Sequence, residues 1–269
     1  DISLNYYASF GKHNVGALLL GRATKYTMPY DSFKTPCGLI GTSARVTYDY
    51  DTRYLVELNF AYNGTENFAK GHRFGFFPAA SIGYVISNEP WFKGNPVLSF
   101  LKVRASYGLV GNDQIGGRRY LFLPGTYSVN MGPGSFTSTE LSGSLQSNYY
   151  QFGNSTGVYN PIYYGSAEGV LGNPDVTWEK SEKASVGLEA KFFDSRLYLT
   201  ADYFGEKRRD ILTTLGVIPI TFGVPVENTA PVNVGRVKNE GFEIVMGWSE
   251  KKSNWGYYIE GNVTYAKNT

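Results

Sequence analysis

One cysteine, Cys37, and two histidines, His13 and His72, are all the soft-ligand chemistry in this chain. A lone thiol closes no disulfide and builds no thiolate cluster, and two histidines exclude a multi-histidine metal site within the chain. Charge is scarce as well. Only 18% of residues are charged, and the net charge is +2, so no basic nucleic-acid footprint exists. No apolar run approaches the ~20 residues of a transmembrane helix. The longest, Val15–Leu20, is broken by Gly16. A barrel wall is not excluded by this, because alternating strands hide from hydropathy scans. Phosphate-cradling loops are missing too: there is no GxxxxGK[ST] and no convincing GxGxxG. Asp1-Ile2-Ser3-Leu4 carries neither the basic nor the apolar region of a signal peptide. Lys267-Asn268-Thr269 stops just after a strand pattern, and both ends read as cuts in a longer polypeptide.

What is abundant is Gly (32), Tyr (22) and Phe (17). Such a mixture suits strands joined by glycine- and asparagine-rich loops. The dominant pattern has period two. Tyr54, Val56, Leu58, Phe60 and Tyr62 fall in one row, against Leu55, Glu57, Asn59 and Ala61. Leu101, Val103, Ala105, Tyr107 and Leu109 alternate with Lys102, Arg104, Ser106 and Gly108. Ala184, Val186, Leu188, Ala190 and Phe192 alternate with Lys183, Ser185, Gly187, Glu189 and Lys191. Near the end, Trp255, Tyr257, Ile259, Val263 and Tyr265 oppose Tyr258, Glu260, Asn262 and Thr264.

These patterns predict ten strands, at about 2–10, 15–25, 41–50, 53–63, 73–86, 98–110, 182–192, 197–206, 240–249 and 254–266. Connections of one parity are mostly short: 11–14, 51–52, 193–196, 250–253 and the longer 87–97. The others are mostly long: 26–40, 64–72, 111–181 and 207–239. Short turns at one end and long loops at the other are the habit of outer-membrane barrels, whose loops face outward. A soluble β-sandwich also alternates, but its strands usually run ~5–6 residues. Spanning strands need ~9–11. If the wall is a barrel, Lys102, Arg104, Glu189 and Lys191 must face the lumen, because a Lys or Arg facing lipid at mid-depth costs ~2–4 kcal/mol. Tyr48, Tyr50 and Tyr54 beside a short turn would then form part of an aromatic girdle.

Residues 45–88 read RVTYDYDTRYLVELNFAYNGTENFAKGHRFGFFPAASIGYVISN. They resemble a signature region of SusC/RagA-type TonB-linked outer-membrane proteins, in which a Y-x-Y turn precedes an "rYL-x-E" strand and an "FPA-x-S-x-G-W-x-x-S-N-E" element. Phe77-Pro78-Ala79 and Ser87-Asn88-Glu89 match closely, whereas Tyr84 stands where tryptophan is common and Asn63 where aspartate is common. Leu101–Gly108 followed by Gly111-Asn112-Asp113 is similar to the family's "lKlRaSyG-x-x-GN". Asn173-Pro174-Asp175-Val176-Thr177-Trp178-Glu179 and Asn239-Glu240-Gly241-Phe242-Glu243 are similar to "NP-x-l-x-WE" and "N-x-GfE".

The resemblance spans nearly the whole chain. It implies an all-β fold: residues 1–269 as an antiparallel, up-and-down transmembrane β-barrel segment, about ten strands of a larger wall of roughly 22. The signal peptide, plug domain and remaining strands are expected to lie outside these residues. By the same resemblance the protein is expected in the bacterial outer membrane, importing a nutrient. A glycan is favoured and an oligopeptide possible. TonB would act through the plug region, with a SusD-like surface lipoprotein as partner and the lipid bilayer around it. No cofactor, nucleic acid or catalytic residue is expected. An omptin-like ten-strand protease is the enzymatic alternative, although only His72 lies where its histidine would have to be.

Loop 111–181 is long, and its middle is almost uncharged. Tyr127, Tyr149, Tyr150, Phe152, Asn154, Tyr159, Tyr163 and Tyr164 are candidate contacts to substrate or lid, since aromatic rings among Gly, Ser and Asn suit adaptable recognition. Equally, such rings would pack on one another and roof the barrel. Lys102, Arg104, Glu189 and Lys191 are expected either to pair with plug groups or to line the route.

Overall fold

The computed structural model describes residues 1–27, 36–92, 95–113, 120–124, 171–214, 216, 228–252 and 254–269, with the short pairs 128–129, 151–152, 163–164 and 166–167. Ten long strands build it: β1 (Ile2–Phe10), β2 (His13–Thr27), β3 (Pro36–Tyr50), β4 (Tyr54–Thr65), β5 (Phe74–Val85), β6 (Leu98–Asn112), β11 (Glu179–Phe192), β12 (Leu197–Thr213), β13 (Val232–Lys252) and β14 (Trp255–Asn268). Four two-residue strands lie between β6 and β11: β7 (Ser128–Val129), β8 (Gln151–Phe152), β9 (Tyr163–Tyr164) and β10 (Ser166–Ala167).

The ten long strands form one antiparallel sheet in chain order, β1-β2-β3-β4-β5-β6-β11-β12-β13-β14, and it runs open from β1 to β14. Every neighbour is next in sequence, apart from the excursion between β6 and β11, so the meander is up-and-down throughout. Two packed sheets are what a sandwich requires, and one continuous sheet removes that alternative. No helix among the described residues is long and apolar enough to cross a membrane, which says nothing about crossing with strands.

Strand bounds move most at the loop ends. β3 begins at Pro36, β12 runs on to Thr213 and β13 begins at Val232, so the predicted 207–239 loop is ladder at both its ends. Charge conceals this extension: Lys207, Arg208, Arg209 and Asp210 break the alternation, and the register shifts between Arg208 and Ile211. Loop 111–181 in turn contains two small ladders, Ser166–Ala167 on Ser128–Val129 and Gln151–Phe152 on Tyr163–Tyr164.

Register separates the two faces. One row across the sheet runs Tyr7, Gly16, Thr47, Glu57, Ser81, Ser106, Ser185, Phe204, Gly241 and Ala266. The interleaved row on the opposite face runs Ala8, Val15, Tyr48, Val56, Ile82, Ala105, Val186, Tyr203, Phe242 and Tyr265. The second face stays apolar along the strands, and its side chains stand exposed: Leu58, Phe60, Ile82, Val186, Tyr203 and Val263 among them.

The apolar belt does not keep to fixed rows. On β4 it extends from Tyr54, one step turnward of the Val56 row, to Tyr62, three steps loopward. On β13 it runs from Phe242 in that same row to Trp248, three steps turnward, and Glu240 just loopward is already charged.

A buried cluster of Phe68, Phe77, Leu121, Val176 and Trp178 sits at the loop end. The β5–β6 ladder stops at Ala79–Gly108, and beyond it the Phe77 ring occupies the space beside Gly75 and Gly111. A Cβ at either glycine would collide with that ring.

Candidate functional site

The polar face carries the site. Along β6, β11 and β12 the register sets Lys102 opposite Glu189, and Gly187 between Arg104 and Asp202. Period-two geometry puts all of them on one side. Arg104 Nη2 donates to Asp202 Oδ2 at 2.7 Å, and its Nε lies 3.0 Å from Glu189 Oε1. Lys102 Nζ is 3.5 Å from the same Glu189 oxygen. Arg104 reaches Asp202 by crossing over Gly187, where any Cβ would strike both side chains. Asp202 Oδ1 is buried without a hydrogen bond.

Beside this cluster lies a trough of about 590 Å³, lined by Tyr7, Asn14, Thr47, Asp49, Glu57, Ser81, Lys102, Arg104, Ser106 and Ser185. Its floor is low because the central row carries Gly, Thr and Ser. Ser106 and Ser185 hydroxyls meet at 2.7 Å, and Asn59 Nδ2 donates to Glu57 Oε1 at 2.7 Å. A recess with hydroxyls, carboxylates and two cations on one wall can hydrogen-bond polar matter. It has no nucleophile–base pair to break a bond.

Of the residues expected here, Lys102, Arg104 and Glu189 come together. Lys191 does not join them: its ammonium lies 5.7 Å from the Phe100 ring centroid. Tyr127, Tyr149, Tyr150, Asn154 and Tyr159 lie outside the described residues. Phe152 pairs with Tyr163, and Tyr164 with Gln151, in a backbone ladder. Asp202 was missed, although it sits in the polar row of its strand between Ala201 and Tyr203. A second polar group also escaped notice: Tyr198 and Tyr258 hydroxyls meet at 2.7 Å and both donate to Glu260.

The signature motifs resolve into two clasps. At the turn end, Arg53 Nη1 and the Tyr54 hydroxyl donate to Glu89 at 2.7 and 2.9 Å, and Tyr84 adds a third hydrogen bond at 3.2 Å. Tyr84 thus supplies a donor where the family pattern has tryptophan. Burial pushes the Glu89 carboxyl up, but these donors outweigh it and hold it below the ordinary carboxylate range. Glu89 in turn raises Arg53. Asp51 is lowered, first by its hydrogen bond from Lys12. Nearby, His13 Nδ1 lies 2.8 Å from the Tyr48 hydroxyl, and Tyr54 stacks on Tyr84 at 5.0 Å, so the expected girdle tyrosines do gather beside the turns.

At the loop end, Trp178 Nε1 donates to the Arg73 carbonyl at 3.1 Å. Asn173 Nδ2 donates to the Pro231 carbonyl, while Asn233 bridges Thr177 and Asp210. The NPDVTWE motif therefore ties three loop roots together.

An open antiparallel meander with one exposed apolar face and one polar, charge-paired face is a segment of a membrane β-barrel wall. The family model for the TonB dependent receptor-like β-barrel matches residues 5–269, and the chain belongs to that family. Its members are transporters, not enzymes, and their barrels are outer-membrane proteins. This removes the protease alternative. The chain is 29% identical over 206 residues to TonB-dependent receptor P39 of Formosa agariphila, a match covering 75% of this chain and 16% of that protein. It is 27% identical over 212 residues to TonB-dependent receptor SusC of Bacteroides thetaiotaomicron, covering 79% of this chain and 18% of SusC. The fold superposes on a chain of the RagAB peptide importer in its closed-closed state with a TM-score of 0.74 and 20% identity, over 99% of this chain and 29% of that one. The chain thus spans under a fifth of the length of the curated relatives named here.

Proposed function

We propose that these residues form the later part of the barrel wall of a TonB-energised importer in the bacterial outer membrane. A plug domain outside these residues would fill its lumen, and a SusD-like lipoprotein would cover its mouth. The observation that carries this reading is the two-faced sheet: an apolar exposed face fit for lipid, backed by a polar face whose charges pair along the register. The cargo we favour is a glycan, because an almost uncharged loop rich in Tyr, Asn and Ser offers rings to sugar faces and amides to hydroxyls. The loop residues Tyr127, Tyr149, Tyr150, Phe152, Asn154, Tyr159, Tyr163 and Tyr164 would make those contacts. Lys102, Arg104, Glu189 and Asp202 would face the plug, with the unmet Asp202 oxygen offered to a plug donor.

Uptake by a strain deleted for the full-length gene, supplied with labelled oligosaccharides or labelled oligopeptides, tests the proposal. Loss of oligosaccharide uptake is expected. Loss of peptide uptake alone would make the cargo a peptide, and no loss of either would end the importer reading. Alanine at Tyr149, Tyr150, Tyr163 and Tyr164 together should lower uptake while leaving the barrel assembled; unchanged uptake would sink the loop assignment.

A further inference from the structure

A second recess, of about 350 Å³, opens at the loop ends of β2 to β5 and is lined by Ala23, Lys25, Gly38, Ile40, Gly64, Glu66, Arg73 and Phe74, among others. Register puts Ala23, Lys25, Gly38, Ile40, Gly64 and Phe74 on the apolar face, in the same alternation as Val46, Leu58 and Phe76. The recess is therefore not part of the polar trough. It is the upper continuation of the surface that meets lipid, at the outer end of the wall.

Two glycines hollow it. Gly64 has the Phe74 ring lying across it, and Gly38 has the Glu66 carboxylate beside it at 3.2 Å from where a Cβ would stand. Phe74 stacks on Tyr62 at 5.1 Å, and Phe60 on Phe76 at 6.2 Å just below, so an aromatic wall leads down into the belt. The upper edge is charged. Lys25 is exposed, and its ammonium has no ion pair among the described residues. Arg73 spends Nε on the Phe68 carbonyl at 3.2 Å, and its terminal nitrogens have no partner among the described residues. Glu66 already receives the Tyr120 hydroxyl at 3.4 Å. Lys25 and Arg73, which both line the recess, face one partnered carboxylate, so among the described residues the rim over the apolar slot is net positive.

We propose that this recess holds one lipid of the outer leaflet, with an acyl chain along Ile40 and Phe74 and an anionic phosphate headgroup on Lys25 and Arg73. Continuity with the lipid-facing belt selects the occupant, and the rim selects its charge. The proposal rests on the long loops facing outward, and it is independent of what the barrel carries.

The test uses full-length protein, delipidated in non-ionic detergent and titrated separately with phosphatidylglycerol, with uncharged dioleoylglycerol and with inorganic phosphate, reading the unfolding temperature. Phosphatidylglycerol should raise it saturably and more than dioleoylglycerol, and phosphate alone should not. The double variant Lys25→Gln/Arg73→Gln should need about ten-fold more phosphatidylglycerol for half-effect. Gly38→Leu, which fills the slot, should blunt the response to both lipids. Because Gly38→Leu also crowds the Glu66 side chain, the double variant at exposed positions decides. An identical titration for wild type and double variant would overturn the proposal, as would an equal effect of inorganic phosphate.

Discussion

At the scale of single residues, the signature positions are structural joints. Glu89 is only 6% exposed, yet three donors converge on it. Its carboxyl is held below its ordinary value, so its contribution is present near neutrality and is lost as pH falls through the folded-state value, below about 4.5. Glu89→Gln should lower stability at pH 7 and flatten the acid limb between about pH 5 and pH 3, read by heat-induced unfolding of the full-length protein across pH. An acid limb as steep as wild type would assign the sensitivity elsewhere. Gly187 is a joint of another kind, since any side chain there blocks the Arg104–Asp202 bond. Gly187→Val should cost about 1–3 kcal/mol through overpacking. The check is a denaturant midpoint beside that of Ser185→Val, which sits in the same strand and should shift far less.

At the scale of elements, the long strands are legible in the sequence because one face must meet lipid and the other must not. That demand writes period two into β4, β6, β11 and β14. It lapses where a strand leaves the apolar zone, which is why the upper ends of β12 and β13 read as loop. Arg104 and Glu189 were readable as polar-face charges, but their meeting depends on register across β6 and β11, and Asp202 joins them from β12, 98 residues beyond Arg104. Sequence alternation carries no such register. The role of Trp178 was equally hidden, since its ring packs on Phe68 and Phe77 across loops that no periodicity links. Trp178→Ala should cost about 3–5 kcal/mol locally, from lost burial and a stranded carbonyl. Limited proteolysis from the outer side should then cut near residues 66–73 faster than in wild type. Equal cutting rates would mean that the other ties suffice.

At the scale of the whole molecule, stability is asymmetric across the wall. Val186 is 55% exposed on the apolar face, and its neighbour Ser185 lies on the polar one. Val186→Lys should cost ~2–4 kcal/mol at mid-depth, whereas Ser185→Lys should cost much less. Heat-modifiable gel mobility of the assembled barrel compares them, and equal losses would contradict the face assignment. Both edges, β1 and β14, carry unpaired backbone on one side within these residues. Residues 1–269 expressed alone should therefore fail to give a soluble, cooperative monomer. A sharp monomeric unfolding transition would count against this.

The slippage of the apolar belt from row to row sets the lean of the strands. Between β4 and β13 the centre of the belt moves about five residues turnward over about five strand intervals, or about one residue per strand. With ~3.4 Å of rise per residue and ~4.8 Å between strands, that slope corresponds to an inclination of about 35°. Outer-membrane walls incline by ~35–45°. The pitch of the barrel is thus already written into ten strands. Any strand that pairs with β14 must begin its own apolar stretch about one residue further turnward, or its greasy side will surface in the headgroups.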